Sequence, residues 1–400
     1  MRRIGIIGGG QLGRMAIEEA RKYLARIYML TPEYPAPGAE IADECFVGAL
    51  GSYEDVLELA ESVDVLSYEI EHVNVEALRE AERRGKVVIP SAGVLALIQD
   101  KAEQKRMLDA HGLPTAPWAI VGDDDREGAA VEKPAAAALR AAAELLGGFP
   151  VVQKSRRGGY DGRGVAALGT ADSDASLSGP SFLEKRIDLA KELAVVVARA
   201  PDGSTATYPC VEMVFDPRAN LCDSVLAPAA LSSAQRGSAQ ELALACIRAL
   251  EEDSLKFGSP RGGAAGIFAV EMFLTKSGEI LVNEIAPRPH NSGHFSIEAC
   301  CASQFDQYIR VLLGLPLGSA ELLRPAMMLN LLGEPGQSGE AEYVGLERAL
   351  AIPGVALHLY GKREVRPFRK MGHLTALGDT AEEASERAQA ARDCVRVVAR

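Results

Sequence analysis

The stretch Phe268–His294, FAVEMFLTKSGEILVNEIAPRPHNSGH, decides how the rest of the chain is interpreted. Two apolar runs flank the dipeptide Ser277-Gly278, and a two-residue loop with glycine between such runs predicts a β-hairpin. That loop places Glu271 directly opposite Glu284. Opposed residues on one face of a sheet have Cβ atoms ~5 Å apart. The two carboxylates therefore repel each other unless one is protonated or a cation lies between them.

A metal ion is one explanation of this acidic pair, since Mg²⁺ binds oxygen ligands and typically takes one or two carboxylates plus substrate phosphates. The alternative is an exposed hairpin on which two glutamates happen to face each other. The following segment, Ala286–His294, favours the metal. Prolines fix its backbone around Arg288, Gly293 permits a tight loop, and its polar side chains have no evident role in a core.

The composition excludes several classes of protein. A length of 400 residues predicts two or three domains, and a net charge of −12 argues against a general nucleic-acid binder. No window of 18 residues is apolar enough to span a membrane. The seven cysteines are scattered and include no CxxC motif, which favours free thiols in a reducing compartment. We therefore expect a cytoplasmic protein with no nucleic-acid or membrane partner.

The N-terminus predicts a strand at Arg3–Ile7, a glycine-rich turn at Gly8–Gly13 and then a helix. Such a turn can present backbone N–H groups to a phosphate, and Glu33 stands where a dinucleotide fold holds a ribose. The alternative is a βα turn that needs glycines for close packing. Strands and helices continue to alternate for about a hundred residues, which predicts a doubly wound parallel sheet. Glu71 follows one of its strands, where such sheets bind ligands.

Two basic segments stand out in an acidic chain. The loop Arg156–Gly164, RRGGYDGRG, lies between two predicted strands beside Lys154, and its glycines allow the backbone to approach an anion or to close as a lid. The second segment has five cations within the nine residues Lys362–Lys370, a composition typical of a phosphate site. A solvated turn is the alternative in each case. We also predict a helix at Ile297–Leu313 and a final helix at Ala381–Arg400.

Together these motifs resemble the ATP-grasp ligases, and among them the 5-(carboxyamino)imidazole ribonucleotide synthases of purine biosynthesis. The resemblance follows the same order along nearly the whole chain: GGGQLGRM at 8–15, PTAPW at 114–118, GGYDGRG at 158–164, NEIAPRPHNSGH at 283–294 and RPFRKMGH at 366–373. PRPHNSGH and GGYDGRG are specific, whereas GGGQLG is not. Phe368 departs from the pattern, because the family usually has a small residue there.

The resemblance implies an α/β and α+β architecture, the ATP-grasp fold. A doubly wound domain would span residues 1–95, an ATP-grasp domain 96–300 with its lid at about 115–190, and a small β-rich domain 301–400. It also implies a homodimer that uses ATP, Mg²⁺ or Mn²⁺, and bicarbonate to carboxylate 5-aminoimidazole ribonucleotide through carboxyphosphate.

The resemblance further implies a role for individual residues. Those expected at ATP are Lys101, Lys154, Gly159, Gly162, Gly164, Glu184, Lys185, Ile187, Glu192, Glu212, Asn283 and Glu284. Those expected at the metal are Glu271 and Glu284. Those expected at the reacting centre are Tyr160, Asp161, Arg163, Arg288 and His290. Those expected at the ribonucleotide are Gln11, Leu12, Glu71, Asn291, Ser292, Lys362, Arg369 and Lys370.

Three other functions remain open from the sequence. The first is another ATP-grasp purine ligase, such as the formate-dependent glycinamide ribonucleotide transformylase. The second is a dinucleotide-dependent oxidoreductase, based on Gly8–Gly13 and Glu33. The third is a nucleotide-sensing protein without turnover, although the acidic pair and the basic lid argue for turnover.

Overall fold

The computed structural model describes residues 2–122, 133–159, 164–216, 218 and 221–400. The first domain alternates strands and helices: β1 Arg3–Ile7, α1 Gln11–Ala20, β2 Arg26–Thr31, β3 Glu44–Val47, α2 Tyr53–Ser62, β4 Val65–Tyr68, α3 Val75–Arg83, β5 Val87–Val88 and α4 Ala92–Gln99. The strands form a parallel sheet in the order β3-β2-β1-β4-β5. The chain adds β2 and β3 on one side of β1 and then β4 and β5 on the other, so the predicted doubly wound sheet is confirmed.

The central part of the chain forms a small antiparallel sheet covered by one helix. Its elements are β6 Trp118–Ile120, α6 Ala136–Leu145, β7 Val151–Ser155, β8 Val165–Leu168 and β9 Ser181–Lys185. Helix α5 Lys101–Ala110, which precedes them, packs instead on α4 and on elements of the larger sheet described next. The strands pair in the order β6-β9-β7-β8. Leu139 and Ala143 of α6 pack on Val151 and Leu183 of the sheet. The basic loop therefore joins two paired strands, as predicted.

The remaining elements build a large sheet and its covering helices. They are β10 Leu189–Arg199, β11 Thr205–Thr207, β12 Val211–Asp216, β13 Leu221–Ala227, α7 Ser233–Ser254, β14 Gly266–Thr275, β15 Ile280–Ala286, α8 Ser296–Ala299, α9 Gln304–Leu313, β16 Ala326–Leu332, β17 Gly339–Val344, α10 Leu346–Leu350, β18 Val355–Leu359, β19 Glu364–Val365, β20 Lys370–Leu377, α11 Ala381–Cys394 and β21 Arg396–Ala399. The order is β15-β14-β10-β12-β13-β16-β20-β18, with β11 on β10 and a separate group β19-β17-β21.

The central strands of this sheet are almost continuously apolar because both faces are covered. Val195 and Val270 pack towards α7, while Ala194 and Ala269 belong to the core on the opposite face, with Phe305 of α9. Strand β16 pairs with β13, so the sheet continues past residue 300, where the sequence suggests a domain boundary. The strands that carry the acidic pair and Lys370, the last residue of the C-terminal basic segment, thereby belong to one sheet.

Two predicted helices are wrong in part, the first in its interior and the second at its C-terminal end. The helix predicted at Ile297–Leu313 is interrupted, because the backbone of Cys300 forms an isolated antiparallel β-bridge with Leu322. A new helix then begins after Ser303, whose side chain caps it by accepting a hydrogen bond from the Asp306 N–H. The final helix ends at Cys394. The last residues instead form β21, an alternating apolar strand that pairs with β17. Across the described ranges of the chain, helices that are both long and apolar enough to cross a membrane are absent.

Candidate active site

The hairpin of β14 and β15 places Glu271 opposite Glu284, and the predicted pairing of the two glutamates is confirmed. Both residues line the same cavity. Met272 and Val282, which alternate with the cavity-facing residues, are buried on the other face against α7. The hairpin therefore has a polar face in the cavity and an apolar face in the core.

The predicted two-residue loop of this hairpin is wrong. The Thr275 N–H donates to the Glu279 carbonyl over 2.9 Å, so the loop consists of three residues, Lys276–Gly278, and the last has a φ of +93°. The strands near the loop are consequently one residue out of the predicted register. A bulge at Asn283 restores the register at the two glutamates.

The cavity has a volume of about 660 Å³ and is lined by residues from all parts of the fold. Within the described chain, most of the predicted site residues line it: Gln11, Leu12, Glu71, Lys101, Lys154, Gly159, Glu184, Lys185, Ile187, Glu192, Glu271, Asn283, Glu284, Arg288, His290, Asn291, Lys362, Arg369 and Lys370. Residues far apart in the sequence therefore surround a single space.

Some predicted residues lie elsewhere. Tyr160, Asp161, Gly162 and Arg163 lie outside the described residues. Three others lie near the cavity without lining it: Glu212, Ser292 and Gly164. The carboxylate of Glu212 pairs with Lys191 at 2.6 Å. Ser292 is fully buried and its Oγ lies 2.9 Å from Nδ1 of His290. Gly164 closes the base of the basic loop with a φ of +76°.

Lys154 organises one end of the cavity. Its Nζ donates to Asn283 Oδ1 at 2.7 Å and pairs with Glu184 Oε2 at 2.7 Å. Burial alone would raise the pKa of Glu184, but Lys154 and Lys105 together hold this pKa below its usual value. An ammonium group on β7, an amide on β15 and a carboxylate on β9 are thereby joined where the lid sheet meets the hairpin.

Lys105 is a site residue that the sequence reasoning missed. Only 2% of the residue is exposed, and its Nζ lies 2.5 Å from Glu184 Oε1 and 2.6 Å from Thr115 Oγ1. Burial lowers the pKa of Lys105, and the neighbouring Glu184 opposes that effect. Its spacing was a usable signal, because Lys101 and Lys105 are four apart and such residues share one face of a helix.

The position of Lys101 is set by the start of α5. Asp100 caps this helix and accepts from Arg156 at 2.7 and 3.1 Å, while the Lys101 N–H donates to the Arg156 carbonyl at 2.8 Å. The first arginine of the basic loop thus anchors α5. The Lys101 ammonium group donates to Glu284.

The acidic pair is accompanied by a third carboxylate. Burial and then the charge of Glu271 raise the pKa of Glu192 to about 7, against the opposing effect of Lys154. His290 Nε2 lies 3.1 Å from Glu271 Oε1. This end of the cavity therefore concentrates negative charge that a cation can neutralise.

The other end of the cavity is basic. Arg288 Nη2 lies 3.2 Å from Glu71 Oε1, and its buried Nε has no hydrogen-bond partner among the described atoms. Lys362 donates to the Lys370 carbonyl at 2.7 Å, which holds the two ends of the basic segment together. Phe368, which precedes Arg369 and Lys370, has a φ of +60°. This left-handed backbone explains why a small residue would suit the position.

The donors at the acidic end fit a hard divalent cation. Glu271, Glu284 and Asn283 supply oxygen atoms, which Mg²⁺ prefers. Across the part of the chain that the structure describes, groups of three or more His, Cys, Asp or Glu placed to hold a metal are absent. Two carboxylates are too few ligands for a cage made by protein alone, but they suit Mg²⁺ that arrives with phosphates.

The glycine-rich turn is filled by the protein itself. The carboxylate of Glu69 accepts hydrogen bonds from the N–H groups of Gly10 and Gly13, and a side chain at Gly8 would overlap it. Burial raises the pKa of Glu69, against the effect of those two hydrogen bonds. The second interpretation of this turn, glycines for close packing, is therefore confirmed, and a phosphate has no place on these two amides.

Comparison with known families agrees with the fold. The chain matches a ribonucleotide synthetase preATP-grasp domain at residues 1–99, an ATP-grasp domain at 106–305 and a phosphoribosylaminoimidazole carboxylase C-terminal domain at 326–387. It is 38% identical to an N5-carboxyaminoimidazole ribonucleotide synthase of Synechococcus elongatus, over 97% of this chain and 92% of the relative. The chain spans 64% of a longer chloroplastic phosphoribosylaminoimidazole carboxylase of Vigna aconitifolia, at 36% identity over 94% of its own length.

Solved structures show the same similarity. The chain superposes on N5-carboxyaminoimidazole ribonucleotide synthetase from Thermotoga maritima with a TM-score of 0.85 and 42% identity, covering 100% of both chains. It superposes on N5-carboxyaminoimidazole synthase from Aspergillus clavatus, in complex with ADP and 5-aminoimidazole ribonucleotide, with a TM-score of 0.82 and 34% identity over 98% of both chains.

Proposed function

Because the chain belongs to the N5-carboxyaminoimidazole ribonucleotide synthases, a family of ATP-grasp ligases, we propose that it uses ATP and bicarbonate to carboxylate 5-aminoimidazole ribonucleotide. A bicarbonate oxygen would take the γ-phosphoryl group of ATP, which gives carboxyphosphate and ADP. The amine of the ribonucleotide would then attack the carboxyl carbon, phosphate would leave, and the amine would lose a proton.

The observation that carries this proposal is a single cavity with two unlike ends. The acidic pair and Lys154, which contacts Asn283 next to Glu284, define one end, and Arg288 and Lys362, whose charges both act on Glu69, define the other. A nucleoside triphosphate with its cation fits the first end, and a phosphorylated substrate fits the second. Two bound substrates would then meet between them, and a fixed orientation of reactants is the main contribution that a phosphoryl-transfer enzyme makes.

The residues at the first end would hold the triphosphate. Lys154 would contact its phosphates, while Glu184, Lys185 and Ile187 at the end of β9 would bind the adenine and Glu192 the ribose. Mg²⁺ held by Glu271 and Glu284 would neutralise charge on the γ-phosphate. The Gly159–Gly164 loop would exclude water, which carboxyphosphate requires because it hydrolyses readily.

The residues at the second end would hold the ribonucleotide. Lys362, Arg369 and Lys370 would bind its 5′-phosphate. Gln11, Leu12, Glu71 and Asn291 would surround the remainder. The buried Nε of Arg288, which has no hydrogen-bond partner within the described residues, would donate to the carboxyl group during its transfer, and His290 lines the same cavity. Tyr160, Asp161 and Arg163 complete the proposal, with Asp161 as the group that accepts the amine proton.

An omission assay tests the function. ADP release should require ATP, bicarbonate and 5-aminoimidazole ribonucleotide together, and omission of any one should abolish it. Formate should not replace bicarbonate. Release that depends on formate and glycinamide ribonucleotide would instead support the alternative ligase.

Location and assembly are further parts of the proposal. We propose a cytoplasmic homodimer, supported by seven cysteines that are all unpaired thiols in the described chain and by the implied family. Light scattering of the purified chain tests the assembly: a mass of one chain at micromolar concentration would contradict it.

A further inference from the structure

Each carboxylate of the acidic pair is already held by a basic side chain. The Lys101 ammonium group donates to Glu284 Oε2, and His290 Nε2 lies 3.1 Å from Glu271 Oε1. The side chains are largely buried: 21% of Lys101 and 16% of His290 are exposed. A cation that bound these carboxylates would therefore have to displace Lys101 and His290.

The contact of His290 has a defined direction. Its Nδ1 accepts the Ser292 N–H at 3.3 Å, and a backbone N–H can only donate. A ring with its proton on Nε2 satisfies both contacts, because it accepts at Nδ1 and donates to Glu271 at Nε2. Ser292, one of the predicted site residues, thus acts through His290.

The contact of Lys101 is equally well supported. Its backbone is fixed by Arg156 and Asp100 at the start of α5. The start of α5 therefore holds the Lys101 ammonium group against the Glu284 carboxylate.

We propose that Lys101 and His290 are placeholders, side chains that occupy the position of the divalent cation in the free protein, so that the acidic pair binds the cation weakly alone and tightly only together with a nucleotide. This inference rests on the proposed function, which assigns the metal to Glu271 and Glu284. Phosphates entering the cavity compete with Glu284 for Lys101, and the released carboxylate then becomes a ligand. When the cation takes Glu271, the Nε2–H of His290 becomes available to the reacting centre.

The competition has a measurable consequence. A group that holds a ligand in the free protein must be displaced before the cation binds, so its interaction weakens nucleotide-free cation binding. Removal of a placeholder should strengthen that binding even though a side chain has been deleted. A residue that is an ordinary part of a preformed metal site would have the opposite effect.

The test measures Mn²⁺ binding to the full chain without nucleotide, by electron paramagnetic resonance of the free ion. The Lys101→Met and His290→Leu variants should each bind Mn²⁺ about tenfold more tightly than the wild-type chain. His290→Gln, which keeps an N–H donor, should remain close to the wild type. Lys276→Met removes an exposed charge from the loop of the same hairpin, outside the cavity, and should change the affinity by less than about twofold.

The outcomes separate this inference from the function. Unchanged or weaker Mn²⁺ binding in both Lys101→Met and His290→Leu would overturn the placeholder role, provided that Glu271→Gln still abolishes binding of Mn²⁺ with ATP. If Glu271→Gln and Glu284→Gln leave binding of Mn²⁺ with ATP intact, the metal lies elsewhere and the proposed site itself is wrong. Circular dichroism of each variant confirms that it is folded.

Discussion

Glu69 lies over Gly10, with one carboxylate oxygen on the backbone N–H of that glycine and the other on Gly13. The Glu69 carboxylate therefore accepts the backbone hydrogen bonds at the start of α1 that a bound anion could otherwise accept. We expect Glu69→Gln to lower the free energy of unfolding by about 1–3 kcal/mol, because an amide offers only one acceptor to two N–H groups. Urea unfolding measures this. Glu33→Gln, which changes the residue that would hold a ribose in a dinucleotide-binding protein, should have little effect on the free energy of unfolding. The wild type should not bind NADH.

Lys105 supports Lys154 through their shared partner Glu184. We expect Lys105→Met to destabilise the protein by about 3 kcal/mol, because it leaves a buried carboxylate with one cation fewer. It should also raise the KM for ATP, since Glu184 would draw Lys154 away from Asn283.

A matched control for that change exists on strand β10. Lys191→Met breaks the more exposed pair with Glu212 and should cost less than about 1 kcal/mol. Equal losses of unfolding free energy in the two variants would show that the buried group of Lys105, Glu184 and Lys154 has no special role in stability.

Phe368 has a left-handed backbone, with a φ of +60°, and its ring packs against Arg218 at 5.4 Å. Alanine would lose the ring and keep the strain, whereas glycine would relieve it. We expect Phe368→Gly to be more stable than Phe368→Ala by about 1 kcal/mol. Thermal unfolding compares the two. The reverse order, which is usual in helices and strands, would refute the strain.

His358 and His373 stack at 4.5 Å but should affect stability with opposite pH dependence. Burial would lower the pKa of His358, but its hydrogen bond to Glu298 raises it. Its stabilising effect is thus fully present below pH ~6.5 and disappears as the pH rises through the folded-state pKa. His358→Gln should therefore lose stability relative to the wild type mainly below neutral pH.

The buried His373 supplies the internal control. Burial holds its pKa well below the usual value, so the unfolded chain binds this proton more readily and acid destabilises the fold. His373→Phe should gain stability relative to the wild type as the pH falls below ~6.5. Chemical denaturation between pH 5 and 8 gives the free energy of unfolding of both variants relative to the wild type. If this difference changed with pH in the same direction for both variants, the assignment would be contradicted.

The sequence predicted the pattern of the fold better than its exact geometry. Glu271 and Glu284 face each other as predicted although the loop length was wrong, because the bulge at Asn283 cancels the error. Sequence periodicity cannot reveal such compensating irregularities. The roles of Glu69 and Lys105 depend on distances between elements far apart in the chain, which local patterns do not contain. The strand β21 was missed because it follows a helix without a strong break.

The central claim concerns the carbon that this chain transfers, and labelled bicarbonate tests it most directly. With ATP, Mg²⁺ and 5-aminoimidazole ribonucleotide, ¹³C-bicarbonate should place one labelled carboxylate on the ribonucleotide amine for each ADP released, as followed by NMR at a pH where the product persists. ADP release without a labelled ribonucleotide, or label transfer that does not require ATP, would contradict the account.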